Sequence, residues 1–181
     1  GYLAREKGGV DANRIATDPN FQRTRENGSE FGRAGKAGKV LRNSLRVLLQ
    51  SSSDNRMVSR LTKKMVEVLQ ADTTSVRGQR NIIDGEAELL EGFEFNIGAK
   101  LSNTLFAPST PSVDRVAGDL NISLPSFIPA NMVAAPGGTT HFKIVSSGVE
   151  VDFENETFTA DSSASAMLAW DGTATAVINL T

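Results

Sequence analysis

In "EGFEFNI", residues 91–97, Phe93, Phe95 and Ile97 alternate with Glu94 and Asn96. A period of two is that of a half-buried β-strand, whereas the apolar residues upstream of Gly92 recur at spacings of three and four. The chain is expected to change class at this point. A helical region over residues 1–91 and a β-rich region over residues 92–181 make an α+β protein with two parts.

Upstream, "TDPNF" (17–21) offers Asp18 as an N-cap and Pro19 at the first helical position, where a missing N–H costs nothing, so a short helix should run from Pro19 to about Arg25. "ENGS" (26–29) reads as a break. Ser29 can then cap a second helix with Phe31, Ala34, Gly38, Leu41, Leu45 and Leu48 on one buried face, ending near "QSSSDN" (50–55). Asp54 can cap a third, with Val58, Leu61, Met65, Val68 and Leu69 facing inward, and the short polar connection predicts an antiparallel helical hairpin. "NIIDGEAELLEG" (81–92) carries a weaker helical pattern.

Downstream, "LNISL" (120–124) and "VEVDF" (149–153) repeat the alternation of "FEFNI". "FENETF" (153–158) reads as a turn, and "WDGT" (170–173) has the Asp-Gly pair of a type I′ hairpin, while Trp170 and Phe158 read as core residues. Short strands separated by turn signals over about ninety residues predict an antiparallel β-sandwich of immunoglobulin-like size, without the disulfide and core tryptophan of antibody domains. In "TATAVINLT" (173–181), Ala174, Ala176, Ile178 and Leu180 form one apolar face. Such a strand implies further chain or an edge that takes a strand from a neighbour, so Ile178 and Leu180 are candidate self-assembly residues.

The 181 residues are 39% hydrophobic, enough for one good core or two small ones, with no apolar run of bilayer-spanning length and hence no expected membrane insertion. There is no cysteine, and His141 stands alone. Thiolate chemistry, disulfides, a Ser-His pair and a histidine-based metal site are excluded by composition, so no catalytic residue, metal or cofactor is expected. Glu150, Asp152 and Glu154 point one way along a strand, but a calcium site gathers its ligands from a tight loop, and a solvated strand face is the simpler reading.

The net charge of −2 hides a division: residues 1–80 hold sixteen Lys/Arg against eight Asp/Glu, and residues 81–181 hold three against thirteen. Halves of +8 and −10 point to an anionic partner for the first, or to one half meeting the opposite half of a neighbour. Within "GRAGKAGK" (32–39) the phosphate-loop reading fails, because five residues separate Gly32 from Gly38 and Val40 follows Lys39. Gly32-Arg33-Ala34-Gly35 matches the GXXG clamp of KH domains, without the surrounding βααβ pattern. Ala34, Gly35, Ala37 and Gly38 also give one helix side almost no side chains. That permits a close backbone approach and makes Ala34, Gly35 and Gly38 candidate assembly residues.

Lys36, Lys39, Arg42 and Arg46 on the second helix, Arg56, Arg60, Lys63 and Lys64 on the third, and Arg77 and Arg80 beyond it could contact nucleic acid or an acidic protein surface. No base-stacking aromatics interleave them, which favours an ordinary solvated face.

"GYLAREKGGV" followed by "TDPNFQRTRENGSEFGRAGKAGKVLR" resembles a group of proteins encoded in Bacteroidetes genomes to which no activity is assigned. The match is specific over residues 1–46 and looser through "FIPANMVAAPGGTTHFKIVSSGVEVDFE" (127–154). It implies a piece of a longer protein and supplies no catalytic residues. Together these readings lead to a non-enzymatic structural or assembly protein that associates with itself or a scaffold, in a phage-related particle or an extracellular filament rather than the cytoplasm. The alternative is a nucleic-acid-binding protein using the basic helices.

Overall fold

The computed structural model describes residues 9–181; residues 1–8, where the "GYLAREKGGV" resemblance begins, lie outside them. It is mixed α and β, with helices gathered in the first half and strands in the second. Two compact units share the chain. One comprises the described residues up to Gly38 with Leu61–Glu91, and the other Lys39–Arg60 with Gly92–Thr181. Lys39–Arg60, read from sequence as part of the helical region, thus groups with the β-rich half.

Asp11 accepts the Asn13 N–H at the start of α1 (Ala12–Thr17), and Asp18 accepts the Asn20 N–H at a 3-10 turn over Pro19–Phe21. The expected break at "ENGS" does not form: α2 (Gln22–Ser44) runs straight through it. Asn27 and Gly28 are poor helix formers, but Glu26, Asn27, Glu30 and Arg33 along the same helix hold residues 77–80, and those tertiary contacts override local propensity. The buried face is also turned by one position. Phe31 is 62% exposed while Glu30 is 3% exposed, in line with buried Ala34 and Ala37.

After α3 (Arg46–Ser52), α4 (Met57–Gln70) buries Leu61, Met65, Val68 and Leu69 as its spacing predicts, with Ile82 also buried, whereas Val58, expected on the same face, is 48% exposed. Only Ala87–Leu90 of the expected 81–92 helix is helical, as a 3-10 turn. The segment instead crosses the end of α4, where Glu86 N–H donates to the Val68 carbonyl. Gly85 lies so close to that carbonyl that a Cβ would sit 2.4 Å from its oxygen.

"FEFNI" is not a strand. It wraps irregularly around Arg60 and leads to the one-turn α5 (Leu101–Thr104), whose Leu101 N–H and Ser102 hydroxyl donate to Glu94. Strands β1 (Thr110–Asp114), β2 (Asp119–Leu124) and β7 (Ile178–Leu180) form an antiparallel sheet in the order β1-β2-β7. One turn of helix, α6 (Pro129–Met132), precedes β3 (His141–Phe142), which pairs with β6 (Leu168–Ala169). β4 (Val145–Asp152) pairs with β5 (Thr157–Ala164) across the expected turn.

The sheets are small and not closed. Their core is Ala107, Leu124, Phe127, Ile178 and Leu180, flanked by Leu105, Ile122, Met132, Val133, Phe142, Ile144 and Leu168. Trp170 is half-buried, its indole N–H donating to the Val133 carbonyl at 2.8 Å, whereas Phe158, expected in the core, is 44% exposed. "WDGT" is not a type I′ turn. Neither Asp171 nor Gly172 has positive φ, because the Asp171 carboxylate accepts the Thr173 N–H and closes a local turn of its own.

Candidate interaction surfaces

The basic residues marked by the sequence separate into two sets. In the first unit, α2 clamps the loop after α4. Glu30 accepts the Gly78 N–H at 2.7 Å, Arg33 donates to the carbonyls of Gly78 and Arg80, and Arg77 reaches Asn27 at 2.6 Å and Glu26 at 3.6 Å. Gly78 adopts φ +87° inside this clamp, a conformation that L side chains rarely adopt. Asp72, 3% exposed, receives the N–H groups of Thr74, Ser75 and Asn81 and the Thr74 hydroxyl. Burial opposes its ionisation, but those hydrogen bonds prevail and hold its carboxyl far below the usual carboxylate range.

Arg60 is equally committed, in the second unit. Its guanidinium donates to the Asp54 carboxylate and to the carbonyls of Glu94 and Phe95, and lies 5.4 Å from the centroid of the Phe93 ring. Those carbonyls are the groups a strand would need for pairing, which is why the alternation in "FEFNI" fails to make one. Asp54 also accepts the Ile97 N–H, the largest influence holding its carboxyl below the usual range.

Arg77 and Arg60 therefore serve the fold, and Arg80 Nε lies 3.9 Å from the Glu30 carboxylate. Arg42 is half-buried, its Nη1 lacking a hydrogen-bond partner among the described residues. Lys36, Lys39, Arg46, Arg56 and Lys63 are exposed. Of the small residues, Ala34 and Gly38 are buried within the chain itself, and a Cβ added at Gly32 or Gly35 would meet nothing within 4 Å among the described residues. These two glycines mark no close backbone approach.

Comparison with protein-family models, curated proteins and solved structures finds no match. Among the described residues no helix is long and apolar enough to cross a membrane.

The β-rich unit carries two further features. The first is its strand edges. Ile178 and Leu180 point into the core at 8% and 1% exposure, and β7 already pairs with β2, so these side chains are not presented to a neighbour. β1 is exposed at all five positions but carries Pro111, which removes an edge donor. β5 is eight residues long, pairs among the described residues only with β4, and holds one charge, Asp161, and no proline. The second is a groove of about 880 Å³ between the β1–β2 and β4–β5 hairpins, with Leu120 and Ile122 on one wall and Glu150 and Asp161 on the other. Neither feature was marked by the sequence reading. The composition of "TFTADSSA" (157–164) carried the edge signal, since such a strand lacks the usual protective charges.

Proposed function

We propose that this protein is a non-enzymatic structural protein that assembles with copies of itself by strand addition, in a phage-related particle or an extracellular filament. The observation that carries the reading is the unprotected outer edge of β5. Open edges present unpaired N–H and C=O groups, and natural proteins blunt them with lysines, prolines, bulges or short strands. β7 is three residues long, β3 and β6 are two each, and β1 has Pro111. β5 has only Asp161, which accepts the Ser162 N–H at 2.7 Å. A strand added along β5 would extend the β4–β5 hairpin, and sheets completed in this way would approach the immunoglobulin-like sandwich expected from sequence.

Size-exclusion chromatography with light scattering over a dilution series, with and without nucleic acid, tests this reading. Wild-type protein is expected to form oligomers without nucleic acid. Ser162→Pro places a ring on the β5 edge and should raise the concentration needed for association by about tenfold or more, with unchanged circular dichroism. A wild-type chain that stays monomeric at high concentration removes the reading.

The nucleic-acid alternative rests on the exposure of Lys39, Arg46, Arg56 and Lys63. Reversing these four charges should weaken binding to DNA or RNA and flatten its salt dependence, since fewer counterions are released. Absence of binding at low salt eliminates it.

A further inference from the structure

We propose that the groove between the β1–β2 and β4–β5 hairpins receives the basic stripe of a second copy, carried by Lys39, Arg46 and Val47, in a head-to-tail contact. The inference rests on the self-association reading and names surfaces that would meet.

The groove begins where the core runs out. Leu120, Ile122 and Leu124 lie on one face of β2, and β1 pairing sets Val113 opposite Leu120. Exposure rises along this face from 1% at Leu124, through half-buried Ile122, to 42% at Leu120 and 62% at Val113. One end of an apolar sheet face is thus covered by the protein's own core and the other end is not. The opposite wall is fixed close by: a Cβ at Gly148 would lie 2.2 Å from Leu120 Cδ1, so the two hairpins meet there through a glycine. From this contact the β4–β5 face extends with Glu150 and Asp161, both exposed, and among the described residues neither forms an ion pair.

Asp114, Asp119, Glu150 and Asp161 line the groove against one cation, Arg115, so an occupant must bring positive charge, and an apolar group to Leu120 and Val113. Nucleic acid and anionic lipid have the wrong charge. The chain itself carries the complement. Lys39 and Arg46 are exposed, Val47 beside them is 68% exposed, and α2 leads into α3 through Leu45→Leu41 and Leu49→Leu45 backbone hydrogen bonds. Seven residues along this nearly continuous helix put the two cations about 10 Å apart, suited to a groove rather than a single carboxylate. The +8 and −10 halves give the same pairing sign at longer range. Stripe and groove are different surfaces, so each copy would offer one to a neighbour on each side, and such heterologous contacts grow into open chains unless they close into a ring.

Charge exchange tests the contact. A groove variant, Glu150→Lys with Asp119→Lys, which leaves the β5 edge unchanged, and a stripe variant, Lys39→Glu with Arg46→Glu, should each lose self-association by about a hundredfold, because groove and stripe then carry the same sign. Mixed in equal amounts, the two become complementary at every contact, and light scattering should recover assembly close to wild type. Matching circular dichroism and melting temperature confirm that both variants fold. If one does not, Glu150→Gln with Asp119→Asn replaces the groove variant, with an expected loss of about tenfold. Variants that associate as well as wild type, or a mixture that fails to recover, overturn this contact while self-association stands. Wild-type protein that is monomeric overturns self-association itself, and a monomer whose groove binds a basic peptide shows that the occupant is another protein.

Discussion

Glu30 and Glu150 are both glutamates on regular elements, with opposite fates. Glu30 is 3% exposed and takes the Gly78 N–H, with Arg80 Nε 3.9 Å away, inside the clamp that ties α2 to the loop after α4. Glu150 lies on a strand face open to solvent and forms no ion pair among the described residues. Both units spend charge on themselves, the first at Glu30, Arg33 and Arg77 and the second at Arg60 with Asp54, whereas Glu150 and Asp161 form no ion pair among the described residues. The basic half of the sequence is therefore less available to a partner than its count suggests.

The largest test of this contrast is in the β-rich core. Leu180→Ala should destabilise by about 2–5 kcal/mol, read by chemical denaturation, because it empties a site at 1% exposure. Lysine at Ile178 and Leu180 should unfold this core outright. Were these variants stable but dissociated, the strand would be an interface and the contrast would fail.

In the first unit, Gly85→Ala should cost about 1–3 kcal/mol, since its methyl would meet the Val68 carbonyl. A neutral effect in thermal melting would mean that the chain there does not pass so close to α4. Acid titration sharpens the same point. Asp54 and Asp72 have folded pKa values below their unfolded ones, so the stability they contribute is present above the unfolded pKa and lost as pH falls through the folded value. Unfolding should therefore become easier below about pH 4, and Asp72→Asn should flatten that acid limb. An unchanged limb would mean that Asp72 is not the buried acceptor described.

The smallest effect is a gain. Gly35→Ala lies in open space on a helix and should stabilise by about 0.5–1 kcal/mol. If it abolished association instead, the small-residue face would be a contact surface after all.

What the sequence made legible was local. The α4 face reads correctly at Leu61, Met65, Val68 and Leu69, and β2, β4 and the reversal after Asp152 follow from alternation and turn chemistry. The failures are non-local. "ENGS" stays helical because residues 77–80 bind that stretch, and "FEFNI" loses its strand because Arg60 takes its carbonyls. Neither partner lies within reach of a pattern read over ten residues. The β5 edge and the groove were missed for another reason: exposure is a property of the assembled sheet, and the same eight residues under a third strand would be interior.

Arg60 also has a consequence for synthesis. Its carboxylate partner Asp54 is six residues earlier and leaves the ribosome first, whereas the carbonyls of Glu94 and Phe95 follow 34 and 35 residues later. A nascent chain halted before residue 94 holds a guanidinium with one anion and two acceptors missing, so the contacts of Arg60 are completed during translation only once the later segment has emerged.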